Sequence, residues 1–271
     1  MATCYRHPDR ETGVSCSNCG RPICPDCMIT TPVGMRCPEC AKQRTRIRTG
    51  TSAFGRAGGT PVTFVLIAVN VAAFLAELGA GSGGLQGSGP VIDNFSVFGP
   101  KIADGEWYRL LTGAFLHGGL IHIAFNMYAL YILGQLLEPA FGGVRFTALY
   151  FASLFAGSLG IVVLSPDTHA VGASGAIFGL FAAAFVIARG RRLEAIATQL
   201  GVLLLINLAL TFGIPGIAIG AHVFGAAGGA LCGLLILAGD RGRFGANRVP
   251  AELAAMAAMG VVAAVLGVVL A

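Results

Sequence analysis

Apolar residues run along this chain in seven long blocks, near residues 61–80, 119–138, 146–165, 172–188, 195–212, 218–238 and 252–270. Each reads as a helix. A bilayer crossing needs ~20 apolar residues; most of the blocks reach that length, and the fourth and fifth stand at the short end. The polar residues between them are not distributed at random. Arg145, then Arg189, Arg191 and Arg192, then Arg241, Arg243 and Arg248 occupy alternate loops, while the other loops hold only Lys101 and Arg109. Cationic loops stay on the cytosolic side. The alternation therefore places the N-terminus in the cytosol and the C-terminus outside. The first forty residues carry no apolar block, and "MATCYRHPDRETGVSC" lacks the apolar core of a signal peptide.

Composition agrees with this pattern. The 271 residues are 55% hydrophobic and 11% charged, with a mean hydropathy of +0.76, whereas soluble domains carry about 25% charged residues. The chain reads as an integral, multi-pass protein of the cell membrane with the lipid bilayer as its solvent. Its formal charge of +5 comes from loop arginines, which set topology or touch anionic lipid; no nucleic-acid partner is expected.

Seven of the eight cysteines lie within the first 40 residues. They form four ligand pairs, each with two intervening residues: Cys4/His7, Cys16/Cys19, Cys24/Cys27 and Cys37/Cys40. Such a pair grips a tetrahedral metal from one turn, and eight ligands complete two closed zinc sites. Sequential pairing leaves loops of 8 and 9 residues; interleaved pairing leaves 16 and 17. The longer loops match the usual zinc spacing of roughly 15–20. They favour Cys4, His7, Cys24 and Cys27 on one ion and Cys16, Cys19, Cys37 and Cys40 on the other. An odd cysteine count with a histidine in the fourth pair argues against a disulfide framework. Zinc thiolates imply a reducing compartment. The segment resembles a B-box-type zinc finger over residues 4–40. It reads as a structural, non-catalytic module (1–41), joined by a basic linker (42–60), with two roles open to it: binding a cytosolic partner or a substrate tail, or only stabilising the linker.

Polar side chains inside the apolar blocks cluster at one depth. His122 and Asn126 lie in the first two turns of the second span, at i and i+4 on one face. Ser174 opens the fourth span. His222 lies about one turn into the sixth. All three spans enter from outside, so the four residues share the outer leaflet. Ionisable groups there are costly and mark function. Gly175 and Gly179 on the fourth span, and Gly225, Gly229 and Gly233 on the sixth, repeat every four residues. Such stripes let helix backbones approach closely, which would bring Ser174 to His222. A histidine within hydrogen-bond reach activates a serine hydroxyl, and the tetrahedral intermediate needs donors. His122, Asn126 and the Ser174 backbone N–H supply them. No carboxylate partner for His222 is evident, so the residues read as a dyad. A soluble nucleophile elbow is excluded because Ala176 replaces its second glycine and no strand precedes the serine.

"HGGLIHIAFNMYALYILGQLLE", "GASGAIFG" and "AHVFGAAGG" resemble the rhomboid intramembrane serine proteases in order and spacing, and "EWYRLLTGAFLH" resembles their first loop. The likeness covers residues 61–240. It implies an all-α polytopic fold, a six-helix core (61–240) followed by a cytosolic loop and seventh helix (241–271). It implies Ser174 as nucleophile, His222 as general base, and His122 and Asn126 as oxyanion stabilisers. Gly172 falls at the family's glycine two before the serine, and Glu138 at a structural glutamate that accepts local hydrogen bonds. Phe224 departs from the family, which often has a small residue there, and is expected to alter packing beside His222. The implied activity is endoproteolysis of transmembrane proteins near the outer face.

The remaining candidates read as structural. His117 belongs to an interface, and His169 to a solvated loop. Cys232 is a small packing residue. Trp107, Tyr108 and Arg109 anchor an interfacial segment of the long outer loop (81–118), which opens with the flexible "GAGSGGLQGSGP". Two other functions fit a polytopic protein with buried polar groups. One is a silent rhomboid-like binder or chaperone, which the Ser174/His222 pair disfavours. The other is a transporter or channel, disfavoured by the lack of a charged line across the bilayer and of inverted repeats.

Overall fold

The computed structural model describes residues 2–31, 34–42, 59–81, 88–213 and 216–271. The chain divides into two compact units, 1–49 and 50–271. Most of the expected linker lies outside the described residues, as does the middle of the glycine-rich stretch after residue 81.

The N-terminal unit holds two antiparallel hairpins and one helical turn. Strand β1 (Ala2–Thr3) pairs with β2 (Glu11–Thr12), and β3 (Ile29–Thr31) with β4 (Gly34–Arg36); helix α1 spans Pro38–Lys42. Among its described residues the buried apolar side chains are Ile23 and six cysteines. So few hydrophobes cannot offset the entropy of ordering forty residues. The rim adds ion pairs, Arg6 with Glu39 and Arg10 with Asp26, and the Tyr5 hydroxyl donates to Glu39. These are exposed and worth little.

The second unit is helical: α2 (Pro61–Gly79), α3 (Pro90–Phe95), α4 (Gly99–Ala103), α5 (Arg109–Thr112), α6 (Leu120–Phe141), α7 (Gly143–Leu164), α8 (Ser174–Gly190), α9 (Glu194–Gly213), α10 (Ile219–Asp240) and α11 (Arg248–Val269). All seven expected blocks are helices. Six are long and apolar enough to cross a membrane. The fifth block, expected to be short, is a helix of 20 residues. The fourth, α8, has only 17, about 7 Å less than α7 or α10. A lipid-facing helix that short would be mismatched, but α8 packs against α6, α7, α9 and α10, and most of its residues are buried.

Glycine sets the tightest seams. A Cβ on Gly225 would lie 2.1 Å from the Gly175 carbonyl oxygen, and one on Gly229 would lie 2.0 Å from that of Gly179. The expected stripes on α8 and α10 therefore meet backbone to backbone. Gly160 of α7 and Gly220 of α10 face each other in the same way. Such seams lower the energy by dispersion and close dipole contact, since lipid supplies no hydrophobic drive between helices.

Polar contacts tie the other helices down. Glu138 near the end of α6 accepts from the backbone N–H of Val62 (2.9 Å) and Thr63 (2.8 Å) and from the Thr63 hydroxyl (2.6 Å). Its bonds are therefore not local, as expected, but cap the first turn of α2. They satisfy donors that a helix start leaves free. Helix α11 is held through Glu252, fully buried, which pairs with Arg145 of α7 and with Arg248, while Asp240 of α10 joins Arg248 to Arg191.

The described part of the long loop before α6, from residue 88 onward, holds more secondary structure than an interfacial segment requires. It forms α3, α4 and α5. Trp107 does project outward, 65% exposed, but Arg109 is 2% exposed. Its guanidinium donates to Glu106 (2.7 Å) and to the Asp93 (3.0 Å) and Ser96 (3.1 Å) carbonyls. The hydrogen bond from Arg109 holds the Glu106 carboxyl below the usual carboxylate range. Arg109 thus anchors the loop to itself.

Candidate active site

Ser174 is the first residue of α8. The opening N–H groups of a helix have no intrahelical acceptor and carry its positive dipole end, so the serine stands where negative charge is favoured. His222 lies in the first turn of α10. The glycine seam between the two helices brings them together, and His222 Nε2 is 2.8 Å from Ser174 Oγ. The Phe178 ring stacks on the imidazole, with centroids 4.0 Å apart and planes 15° apart. Phe224, two residues after His222, sets its Cβ against Gly160 of α7.

His122 and Asn126 sit on α6, and Gly172 carries the chain past them just before α8. A Cβ on Gly172 would lie 2.8 Å from His122 Nε2 and 3.6 Å from Asn126 Nδ2, and its φ is +122°. Only glycine suits both demands. Its N–H donates to the Gly113 carbonyl (2.9 Å), which fixes the turn. His122 Nδ1 accepts from the Gly118 N–H (3.3 Å). The proton of a neutral ring is then on Nε2, facing Gly172. Asn126 Nδ2 is buried without a partner among the described residues. Buried donors are nearly always paired; the Asn126 amide shares its unpaired state with the Tyr150 and Ser153 hydroxyls. Beside Gly172, Gly175 and Ala176 a cavity of about 10 Å³ opens, room for about one water.

The other candidates fall outside this centre. His117 is fully buried, its N–H donating to Glu77 (3.1 Å) and its ring edge-on to His122 at 5.1 Å. His169 is exposed, hydrogen-bonded to Ser96 (2.7 Å) and stacked on Phe98. Cys232 is buried in the packing of α10. The sequence pattern did not single out Thr211, on α9. Its hydroxyl lies 2.6 Å from His222 Nδ1.

The rhomboid domain family matches residues 104–239, about half of the chain. The chain belongs to the rhomboid family. It is 34% identical over 227 residues to the rhomboid protease GluP of Bacillus subtilis (strain 168), covering 81% of this chain and 43% of GluP. It is 35% identical over 148 residues to the protein YdcA of the same organism, covering 53% of this chain and 74% of YdcA. RHOMBOID-like protein 5 of Arabidopsis thaliana is 36% identical over 143 residues, which cover 50% of this chain and 46% of that relative. The chain thus spans less than half of GluP's length. Its family and its helices make it a multi-pass integral membrane protein. The family match begins beyond the N-terminal unit.

That unit places its ligands in two groups, Cys4, His7, Cys24 and Cys27, and Cys16, Cys19, Cys37 and Cys40, each with donor atoms within 4.8 Å of one another. This is the interleaved pairing that the loop lengths favour. A tetrahedral zinc, with Zn–S about 2.3 Å and Zn–N about 2.0 Å, sets S···S edges of about 3.8 Å and S···N edges of about 3.5 Å. His7 Nδ1 lies 3.8, 3.3 and 3.5 Å from the sulfurs of Cys4, Cys24 and Cys27. Cys19 and Cys37 sulfurs are 3.8 Å apart, far beyond a disulfide bond. Donors surround the sulfurs: Cys37 N–H to Cys16 (3.3 Å), Cys40 N–H to Cys37 (3.4 Å) and the Asn18 amide to Cys40 (3.3 Å). Such contacts favour thiolates. Gly20, at φ +74°, closes the Cys16–Cys19 turn. Both groups could hold a metal, and their donor chemistry is compatible with zinc.

Proposed function

We propose that this protein is an intramembrane serine endopeptidase that cuts transmembrane proteins near the outer membrane face. The observation that carries the reading is the 2.8 Å contact between Ser174 Oγ and His222 Nε2, made between two helices inside the bundle. Ser174 Oγ attacks the scissile carbonyl carbon as its proton passes to His222 Nε2. The carbonyl oxygen takes up the negative charge and accepts from His122 Nε2–H, Asn126 Nδ2–H and the Ser174 N–H. His222 then protonates the departing amine, and a water hydrolyses the acyl-enzyme. Asn126 supports this assignment best, because a buried amide with no partner is worth most to a charge that appears only in the transition state. A substrate helix must open to expose its carbonyl, since a closed helix keeps its backbone bonded.

The N-terminal unit, in this reading, is a B-box-like module (1–41) in the cytosol with two structural zinc ions. Four protein ligands at each ion leave no open catalytic position. It recognises a cytosolic partner or a substrate tail. The seventh helix then ends outside, as the arginine distribution requires.

Cleavage of a model transmembrane substrate in liposomes tests the dyad. Ser174→Ala and His222→Ala, both folded, are each expected to lose at least about 10³-fold in kcat. A serine-reactive phosphonate should label the wild type and not Ser174→Ala. Cleavage that survives in both variants rejects the assignment. Failure of the wild type both to cut and to be labelled moves the reading to a silent membrane binder.

A further inference from the structure

The imidazole of a serine–histidine pair must present a lone pair, not a proton, to the serine. Stacking on Phe178 fixes the plane of the His222 ring. It does not fix which edge faces Ser174, nor which nitrogen carries the proton. That choice needs a hydrogen bond at Nδ1. The group found there is the Thr211 hydroxyl, at 2.6 Å. Thr211 is 2% exposed, so water does not compete for the place. A hydroxyl has one proton to give. Thr211 directs its own to the carbonyl of Asn207, one turn back on α9, at 2.8 Å. Toward His222 it can therefore only accept. Nδ1 must donate, and Nε2 is left with its lone pair toward Ser174 Oγ.

We propose that Thr211 is the positioning residue that sets the orientation and the proton tautomer of His222, a role that the sequence assigned to no residue. It does so with an oxygen that is neutral. The imidazolium formed during acylation gains dipolar support from it but no opposite charge. The residue stands on a third helix. The dyad rides on α8 and α10, whereas Thr211 belongs to α9, the least buried of the six long spans. Only Ala197, Leu200 and Thr211 of α9 are buried. The outer end of this lightly held helix thus meets the general base directly.

The functional consequence rests on the protease reading; the tautomer does not. Protein labelled with ¹⁵N-histidine is observed by NMR in micelles, with His222→Ala assigning the signal. In the wild type His222 should carry its proton on Nδ1. Thr211→Val keeps the shape and removes the acceptor. It should shift the ring toward the Nε2–H form and lower kcat by at least about tenfold, with KM changed by less than about twofold. Thr211→Ser restores the oxygen, and should restore the tautomer and bring kcat to within about threefold of the wild type. A wild-type His222 protonated on Nε2, or a Thr211→Val protein with tautomer and kcat both unchanged, overturns the proposal. A tautomer that follows Thr211 in a protein that cuts nothing would support the positioning role and sink the protease reading alone.

Discussion

The two units of this chain reach order by opposite routes. Among the described residues of the N-terminal unit the buried apolar side chains are six cysteines and Ile23, with Thr12 the one buried polar residue beside them, and the cysteines converge on two points. In the α8–α10 seam there are almost no side chains, and the backbones themselves meet, Gly229 against Gly179 and Gly225 against Gly175. A short polar segment in water cannot bury enough apolar surface, so it needs a strong, directional ligand. A helix in lipid already has its backbone bonds and its apolar solvent. It lacks only a reason to sit beside another helix, and small residues provide one. The catalytic geometry follows from the second route. Ser174 and His222 come within hydrogen-bond reach because nothing larger than hydrogen separates their helices.

The largest test of this contrast is to remove the metal. On the proposed reading that the two ligand groups hold zinc, the metal contributes about 10–16 kcal/mol to such a fold, comparable to the whole stability of a small domain. A strong chelator should therefore unfold residues 2–42 and leave the helical unit intact. The seven N-terminal thiols should become reactive toward a thiol reagent, while Cys232, buried in α10, stays slow and far-UV helicity persists. An N-terminal unit whose thiols stay protected after the metal is gone would break the comparison on that side.

The next largest effect belongs to the seam. Gly229→Val would place a branched side chain 2.0 Å from the Gly179 carbonyl oxygen, a backbone atom that cannot swing aside. Overpacking costs typically 1–3 kcal/mol when side chains adjust, and here the helices must part. A loss of at least about 3 kcal/mol is expected in detergent unfolding. Cleavage should fall further than stability, since the parting widens the gap from Ser174 to His222. A stable, active Gly229→Val protein would show that the seam does not set the dyad.

What the sequence made legible divides along the same line. The closeness of Ser174 to His222, and of His122 and Asn126 to Gly172, was foreshadowed because polar residues are rare inside apolar blocks and these four share one depth; their roles are proposals. The metal pairing could be read because loop length alone separates the two arrangements. Thr211 could not. Its block is polar at several positions, and nothing along the chain says which residue of α9 faces α10. Glu138 stood out, but its partners lie some 75 residues away in α2, and pairing across that distance has no local pattern. Arg109 anchors the loop, as its place beside Trp107 and Tyr108 suggested, but how it does so had no sequence signal. Only the tertiary course of the loop, with the carbonyls of Asp93 and Ser96 turned inward, shows that it is a buried strut.

The smallest effect separates close packing from glycine as such. Gly79 is the last residue of α2, and a Cβ added there would meet no atom within 4 Å. Here glycine only weakens its helix, through the entropy it loses on folding. Gly79→Ala should leave cleavage unchanged and raise stability by about 0.5–1 kcal/mol, less at a helix end that frays. The comparison with Gly229→Val holds the native residue constant and varies its surroundings: both are glycines in apolar helices and both changes add carbon alone, but Gly79 faces open space and Gly229 faces a backbone. If the two variants lose stability alike, glycine matters in this fold for a reason other than approach. If Gly79→Ala gains while Gly229→Val loses, what holds α8 to α10 is the absence of a side chain at one place. The serine–histidine contact is then a property of that seam, and not of the two side chains by themselves.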